Sequence, residues 1–404
     1  NVFCVYELGG KTPAGSNSEI VELKICSPEL LRNHRTRISK AYEETVDKII
    51  TSILQDSNYI NTKKDLYIES TKGVRKILSP NLHPFTLINN LKKEAISGID
   101  ENPHFVFFEN MRGFHFRSIQ SLYSEGSMGE YHYGDKGSDE EYTDSSNSGK
   151  LIQSYKRITD LTIPNKNNSL LDIKAGMLGS TLIMHDIYNK KYKKSTFNYF
   201  EDYDKYQRIE NHTKYNNVLI DDVNTVGSFV DSRVFLHPTS ITEDDKDSQY
   251  VLAPTTVDDL TDLGVDRGLA EAAVEKEQEE IRRGNKDYMS NRADKWLLHR
   301  RQRMHELNSG MTINMQIHGN TTVEAGQVIR VNIPIFGLDH ENSKISKHSS
   351  GFYLISKLRH TFNPPTKTHT ISLQATKDSN ASGFDSKASG KEPKQSGMPT
   401  VYQI

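Results

Sequence analysis

The chain has very little cysteine: two residues, Cys4 and Cys26, in 404. Two thiols make neither a disulfide framework nor, alone, a metal site, and they fit a reducing compartment or simple burial. Long apolar runs are missing as well. No stretch of 18 or more apolar residues exists, which removes a transmembrane helix from consideration. An excess of either charge is also absent, because 51 Lys+Arg stand against 53 Asp+Glu for a formal net charge of -2. Whole-chain charge therefore gives no sign of a nucleic-acid-coating protein, a polybasic membrane binder or an acidic tail protein. Apolar residues themselves are scarce, at 35% with a mean hydropathy of -0.66. That is low for one compact globule, so the polar excess is expected in loops, extensions or surfaces meant for other chains.

Familiar catalytic signatures are lacking too. There is no phosphate-binding P-loop, dinucleotide Gly pattern, HExxH or GxSxG. His305-Glu306 has no second His at helical spacing, and His132, His185 and His369 stand in unrelated contexts. Asp139, Glu140 and Glu141 read as a solvated charge run rather than a glycosidase pair, and no carboxylates are framed so as to drive two pKa values apart. No catalytic, cofactor-binding or metal-ligating residue is assigned, and no cofactor is expected.

Periodicity is present. Val21, Leu23 and Ile25 alternate with polar neighbours as in a half-buried strand. Ser39 is the expected N-cap of a helix with Tyr42, Val46, Ile49, Ile50 and Ile53 on one face. Leu66 to Glu69 reads as a strand, and Pro84 as the first position of a helix with Ile88, Leu91 and Ala95 along its stripe. Phe105 to Glu109 and Phe114 to Ser118 form a hairpin across Asn110-Met111-Arg112-Gly113. Ser124 to Lys150 has no periodicity and reads as a mobile loop.

Order resumes near Leu151 with a β-rich stretch, including Thr181 to Ile187. Thr242 to Asp262 reads as an acidic loop. The longest helical signal runs from about Leu269 to Leu307, with a break at Gly284, and places Met289, Ala293, Trp296, Leu297, Met304 and Leu307 on one face. Its basic residues, from Arg282 to Arg303, form no stripe. Pairing with acids on neighbouring chains or capping a bundle is favoured over phosphate binding, and Trp296, the only Trp, reads as a packing anchor. Strands follow at Met311 to Ile317, Ile329 to Ile335, Phe352 to Phe362 and His369 to Ala375, and a polar tail closes the chain.

The order of several motifs is informative. The helix from Asp287-Tyr288-Met289 to Leu307 leads to Met311-Thr312-Ile313. Gly319-Asn320-Thr321-Thr322-Val323-Glu324-Ala325-Gly326-Gln327-Val328-Ile329-Arg330-Val331 comes next. Then follow Ser350-Gly351-Phe352-Tyr353-Leu354-Ile355, His360, His369-Thr370-Ile371-Ser372-Leu373 and Lys377-Asp378-Ser379. This block resembles the baseplate hub proteins of contractile-tailed, T-even-like phages and is similar to the hub part of type VI secretion spike proteins. Arg37-Ile38-Ser39-Lys40-Ala41-Tyr42 resembles that family's junction after its first tube domain, Phe107 to Ser118 its aromatic hairpin, and Gly176 to Phe200 the opening of its second tube domain.

The resemblance implies an α+β chain with two tube-like antiparallel β-barrel domains, an intervening α/β region and a long helix. It places the remainder of the first tube domain at 1–36, so that an earlier N-terminal portion is expected. The α/β middle domain falls at 37–150, with its mobile loop at 124–150. A split second tube domain takes 151–240 and 309–377. The acidic loop and helix occupy 241–308, and a flexible tail 378–404. It implies a homotrimeric ring that adapts a six-fold tail tube to a three-fold central spike and leaves a channel for DNA ejection, with no catalysis. Implied partners are tail tube or tube-initiator proteins, the trimeric spike and the tape measure protein. Genomic DNA passes without specific binding. The implied location is the virion tail baseplate, after assembly in the host bacterial cytoplasm. The alternative is a tail-associated peptidoglycan-degrading enzyme, and a third reading is a DNA binder using the 282–303 helix.

Overall fold

A computed structural model describes residues 2–14, 18–134, 155–164, 168–186, 190–210, 212, 229–238, 266–272, 274, 293–335, 345–346 and 348–380. The described residues form a strand-rich α+β chain in two compact units. One is Asn1–Phe116 with the described part of Asp244–Arg292; the other is Arg117–Glu243 with Ala293–Ile404.

The first unit opens with an antiparallel ribbon of β1 (Cys4–Pro13) and β2 (Glu19–Cys26). The alternation at Val21, Leu23 and Ile25 does mark a strand, but it is not half-buried, because every residue from Glu19 to Ile25 is exposed. Helix α1 (Pro28–Arg35) follows, unforeseen although its signals are standard: Pro in the first turn, Glu29 near the N-terminus, and Arg32, His34 and Arg35 in the last turn. Glu29 is buried, accepting from Thr62 Oγ1 at 2.9 Å and Lys64 Nζ at 3.0 Å, and Lys64 also pairs with Glu109. Residues 28–35, expected within a tube-domain remnant, are thus anchored to the segment around residues 60–64.

The helix expected from Ser39 begins later. Ala41–Thr45 is strand β3, paired antiparallel with β5 (Val74–Leu78), and α2 spans Val46–Gln55 after Thr45. Tyr42 is buried and Ala41, Glu43 and Glu44 are exposed, a pattern that does not choose between helix and strand, and pairing with β5 decides the matter. Ile49, Ile50 and Ile53 are buried on α2 as read. α3 (Pro84–Glu94) starts at its Pro and buries Ile88 and Leu91. A three-stranded sheet runs β4 (Asp65–Ile68), β7 (Gly113–Ser118), β6 (Phe105–Glu109). Gly113 permits this arrangement, because a Cβ there would lie 2.1 Å from the Asp65 carbonyl oxygen on the paired strand. Phe105, Phe114 and Phe116 point into the core against α2 and α3.

The second unit starts with α4 (Ile119–Ser124). It contains a closed barrel of β8 (Ser127–Tyr133), β9 (Arg157–Thr162), β13 (Met311–His318), β14 (Val328–Asn332), β15 (Gly351–Asn363) and β16 (Thr368–Lys377). The strand order is β13-β16-β15-β14-β8-β9, with β9 returning to β13. Ile313, Met315, Ile317, Ile329, Val331, Tyr353, Ile355, Ile371 and Leu373 fill it. Residues 127–133 correct the expectation of a mobile loop from 124. They carry little hydrophobic alternation, and parallel pairing with β14 and β9 holds the strand. Residues 135–150 of that stretch lie outside the described residues.

Beside the barrel, β10 (Gly179–Asp186) is the central strand of a separate sheet, antiparallel to β11 (Lys191–Asn198) and parallel to β12 (Val234–Pro238). α5 (Ser169–Lys174) precedes it, and α6 (Ala293–Ser309) packs on it through Ala293 and Leu298, with Trp296 and Leu297 partly buried. Of the long helix expected from Leu269, 267–272, 274 and α6 are described. Gly284, Met289 and the acidic stretch 242–262 lie outside the described residues.

Candidate functional site

Two features differ from ordinary core and surface. The first is the β1–β2 ribbon. Val5, Tyr6 and Leu8 on one strand and Ile20, Val21, Leu23 and Ile25 on the other are all exposed, Leu8 at 73% and Leu23 at 53%. Leu8 and Leu23 are register partners, as are Val5 and Ile25. Burying one such side chain contributes about 1.5–3 kcal/mol, so a ribbon showing this many to water leaves a large driving force unspent. A two-stranded ribbon is also marginal by itself in water. Concentration of exposed apolar side chains in one element is the mark of an interaction surface.

The second is a buried charge network in the second unit. On α6, Arg303 and Glu306 sit three residues apart and pair at 2.9 Å. Glu306 also accepts from Tyr199 Oη at 2.8 Å, Arg208 Nε at 3.2 Å and Gln302 Nε2 at 3.1 Å. Arg303 reaches Asp378 at 2.7 Å, and Asp378 accepts from Tyr123 Oη at 2.8 Å and the Ile209 N–H at 3.2 Å. Arg208 lies over the Tyr203 ring, 3.7 Å from its centre. Two guanidinium groups thus meet two carboxylates with their remaining hydrogen-bonding sites occupied, the condition for buried charge to be tolerable.

Electrostatics follow from that geometry. Burial pushes the Glu306 carboxyl up, but Arg208 and Arg303 outweigh it and hold it down to about 2. For Arg303 burial pushes down, and Asp378, Tyr123 and Glu306 more than compensate, so its guanidinium stays charged. Glu210 nearby is raised, chiefly by burial, while accepting the Phe352 N–H at 2.8 Å. Carboxylates with opposite shifts therefore exist here, against the sequence expectation that none would.

The same network corrects the C-terminal boundary. Asp378, Ser379 and Asn380, placed in a flexible tail by composition, are buried, and Lys377 donates to the Ser350 carbonyl at 3.0 Å. Residues 381–404 lie outside the described residues.

The other singled-out residues do not converge on one site. His305 Nε2 is 3.0 Å from Asp172 Oδ1, while its neighbour Glu306 belongs to the buried network. His369 lies 3.1 Å from His360 and stacks on Phe362 at 4.0 Å, at one end of β15 and β16. His132 is on β8 and His185 on β10. Asp139, Glu140 and Glu141 lie outside the described residues, as do Arg282, Arg283, Lys286 and Arg292. Arg303 pairs with acids of its own chain, which corrects the expectation of acids on neighbouring chains, and Arg301 lies 4.5 Å from the centre of the Phe235 ring. Arg301, Arg233, Lys174 and His305 line a cleft of about 660 Å³ between α5, α6 and β12, floored by Met177 and Leu298. Arg208, Tyr123 and Tyr199 were not read from sequence as site residues. They come from distant segments, and only the Arg303/Glu306 spacing on α6 signalled the network.

Among the described residues no helix is long and apolar enough to cross a membrane. No family model matches the chain, and no curated protein matches it. Among solved structures, the tail protein from Neisseria meningitidis MC58 aligns over 92% of this chain and 79% of its own, at 10% identity and a TM-score of 0.42, a likeness too low to assign a shared fold.

Proposed function

We propose that this chain is a structural component of a phage tail: the baseplate hub, acting as a homotrimeric ring without catalysis. In this reading it joins six-fold tail tube or tube-initiator proteins to a trimeric central spike, meets the tape measure protein, and leaves a lumen through which DNA passes unbound. The supporting observation is the β1–β2 ribbon, whose apolar residues stand exposed along both strands. In a ring the ribbon belongs to a first tube-like barrel completed by neighbouring chains, which removes free strand edges and buries the apolar side chains. In this reading the closed barrel takes the part of the second tube domain, with bounds that differ from those expected: it gains residues 127–133, and β10, β11 and β12 form a separate sheet outside it. The buried network supports a structural role, since its charged groups are paired and hydrogen-bonded within the unit and none of them lines the cleft beside α6.

Particle imaging of the purified chain should show rings of three copies. A cell-wall hydrolysis assay on the same sample should show no activity, and DNA binding at moderate salt should be negligible. Lytic activity would overturn the non-catalytic role. Steeply salt-dependent DNA binding would overturn the passive lumen.

A further inference from the structure

We infer that Cys4 and Cys26 form a cross-strand disulfide, making the root of the β1–β2 ribbon a redox-controlled staple. The two are the chain's only cysteines. The ribbon's register sets them directly opposite each other, Cys4 as the first residue of β1 and Cys26 as the last of β2. Directly opposed residues of an antiparallel pair present their side chains on the same face, with Cβ atoms about 4.5–5.5 Å apart. A disulfide takes Cβ atoms about 3.5–4.5 Å apart and Cα atoms about 4.4–6.8 Å apart. The approach required is therefore small, and it falls at the end of the ribbon, where β1 begins and β2 finishes. A register shift between Val5 and Glu7 lies beside the pair, and this bulge gives the backbone a place to adjust. Both thiols are free and half-buried, so a small oxidant reaches them.

The chemistry balances with a low-molecular-weight disulfide as oxidant. One cysteine thiolate attacks oxidised glutathione, forming a mixed disulfide and releasing one glutathione thiolate. The second cysteine thiolate then displaces the other glutathione. The protein loses two electrons and two protons, and one oxidised glutathione becomes two reduced ones. Ser27, next to Cys26, donates to Glu109 at 3.1 Å just before α1, so the bond pins the start of β1 to the point where β2 enters the rest of its unit. In the reduced form β1 is free to peel from β2; in the oxidised form the register is locked. The inference concerns the single chain and stands whether or not the hub reading holds.

The test treats the full chain, at a dilution where it is monomeric, with excess oxidised glutathione, and reads the intact mass and a non-reducing peptide map. The expected result is a loss of two hydrogen masses, no retained glutathione, and the Cys4 peptide linked to the Cys26 peptide. Cys4→Ser and Cys26→Ser should each hold one glutathione that the native chain expels. A native chain ending with two glutathione adducts, or one linked only between copies, would overturn the proposal.

Discussion

The β1–β2 ribbon and the six-stranded barrel are built from the same sequence pattern and meet opposite fates. Val21, Leu23 and Ile25 alternate with polar residues, and so do Ile313, Met315 and Ile317. The second set is buried, Ile313 and Ile317 completely, while the first is exposed throughout. Period-two alternation says that one face of a strand is fit for burial; it does not say what buries it. In the barrel, closure of β9 onto β13 supplies the cover within the chain. In the ribbon the cover has to come from elsewhere, and the hub reading assigns it to neighbouring copies.

The largest way to break this contrast lies in the network that secures the end of β16. Glu306→Ala leaves Arg303 and Arg208 buried with only Asp378 to balance them and should cost about 3–5 kcal/mol, read from the denaturant midpoint. Matched truncations come next. Ile371→Ala in the barrel should cost about 2–5 kcal/mol, whereas Leu23→Ala in the ribbon should change the stability of the isolated chain by less than about 0.5 kcal/mol. Equal losses at both sites would erase the distinction. Acid probes the same network without a truncation. The Glu306 carboxyl is held at about 2, below its ordinary 4.5, so its contribution is complete above roughly pH 4.5 and is lost as pH falls towards 2. Glu306→Gln should flatten that part of an acid-unfolding curve.

Elements with strong local signals were legible. Pro84 at a helix start, the Phe-rich hairpin about Gly113, and alternation in β13 and β16 all stand where the sequence puts them. Three misreadings share one cause, contact between segments far apart in the sequence. Tyr42 reads equally well as helix or strand until β5 lies beside it. Ser127–Tyr133 opens a stretch with the composition of a loop, and β14 and β9 make it a strand. Asp378 reads as the start of a solvated tail, and Arg303, 75 positions earlier in the sequence, with Tyr123 and the Ile209 N–H makes its burial tolerable. The charge network was illegible for the same reason, since its members come from five separate stretches between Tyr123 and Asp378. The ribbon is the reverse case: its strand was legible, while its cover is not on this chain's described surface.

Native mass measurement on the chain and on its Leu23→Asp variant tests the assembly most directly. The account predicts three copies for the unaltered chain and one for the variant, with the variant's barrel still folded by its unfolding midpoint. An unaltered chain that stays monomeric at high concentration, or a variant that assembles as well as its parent, would contradict it.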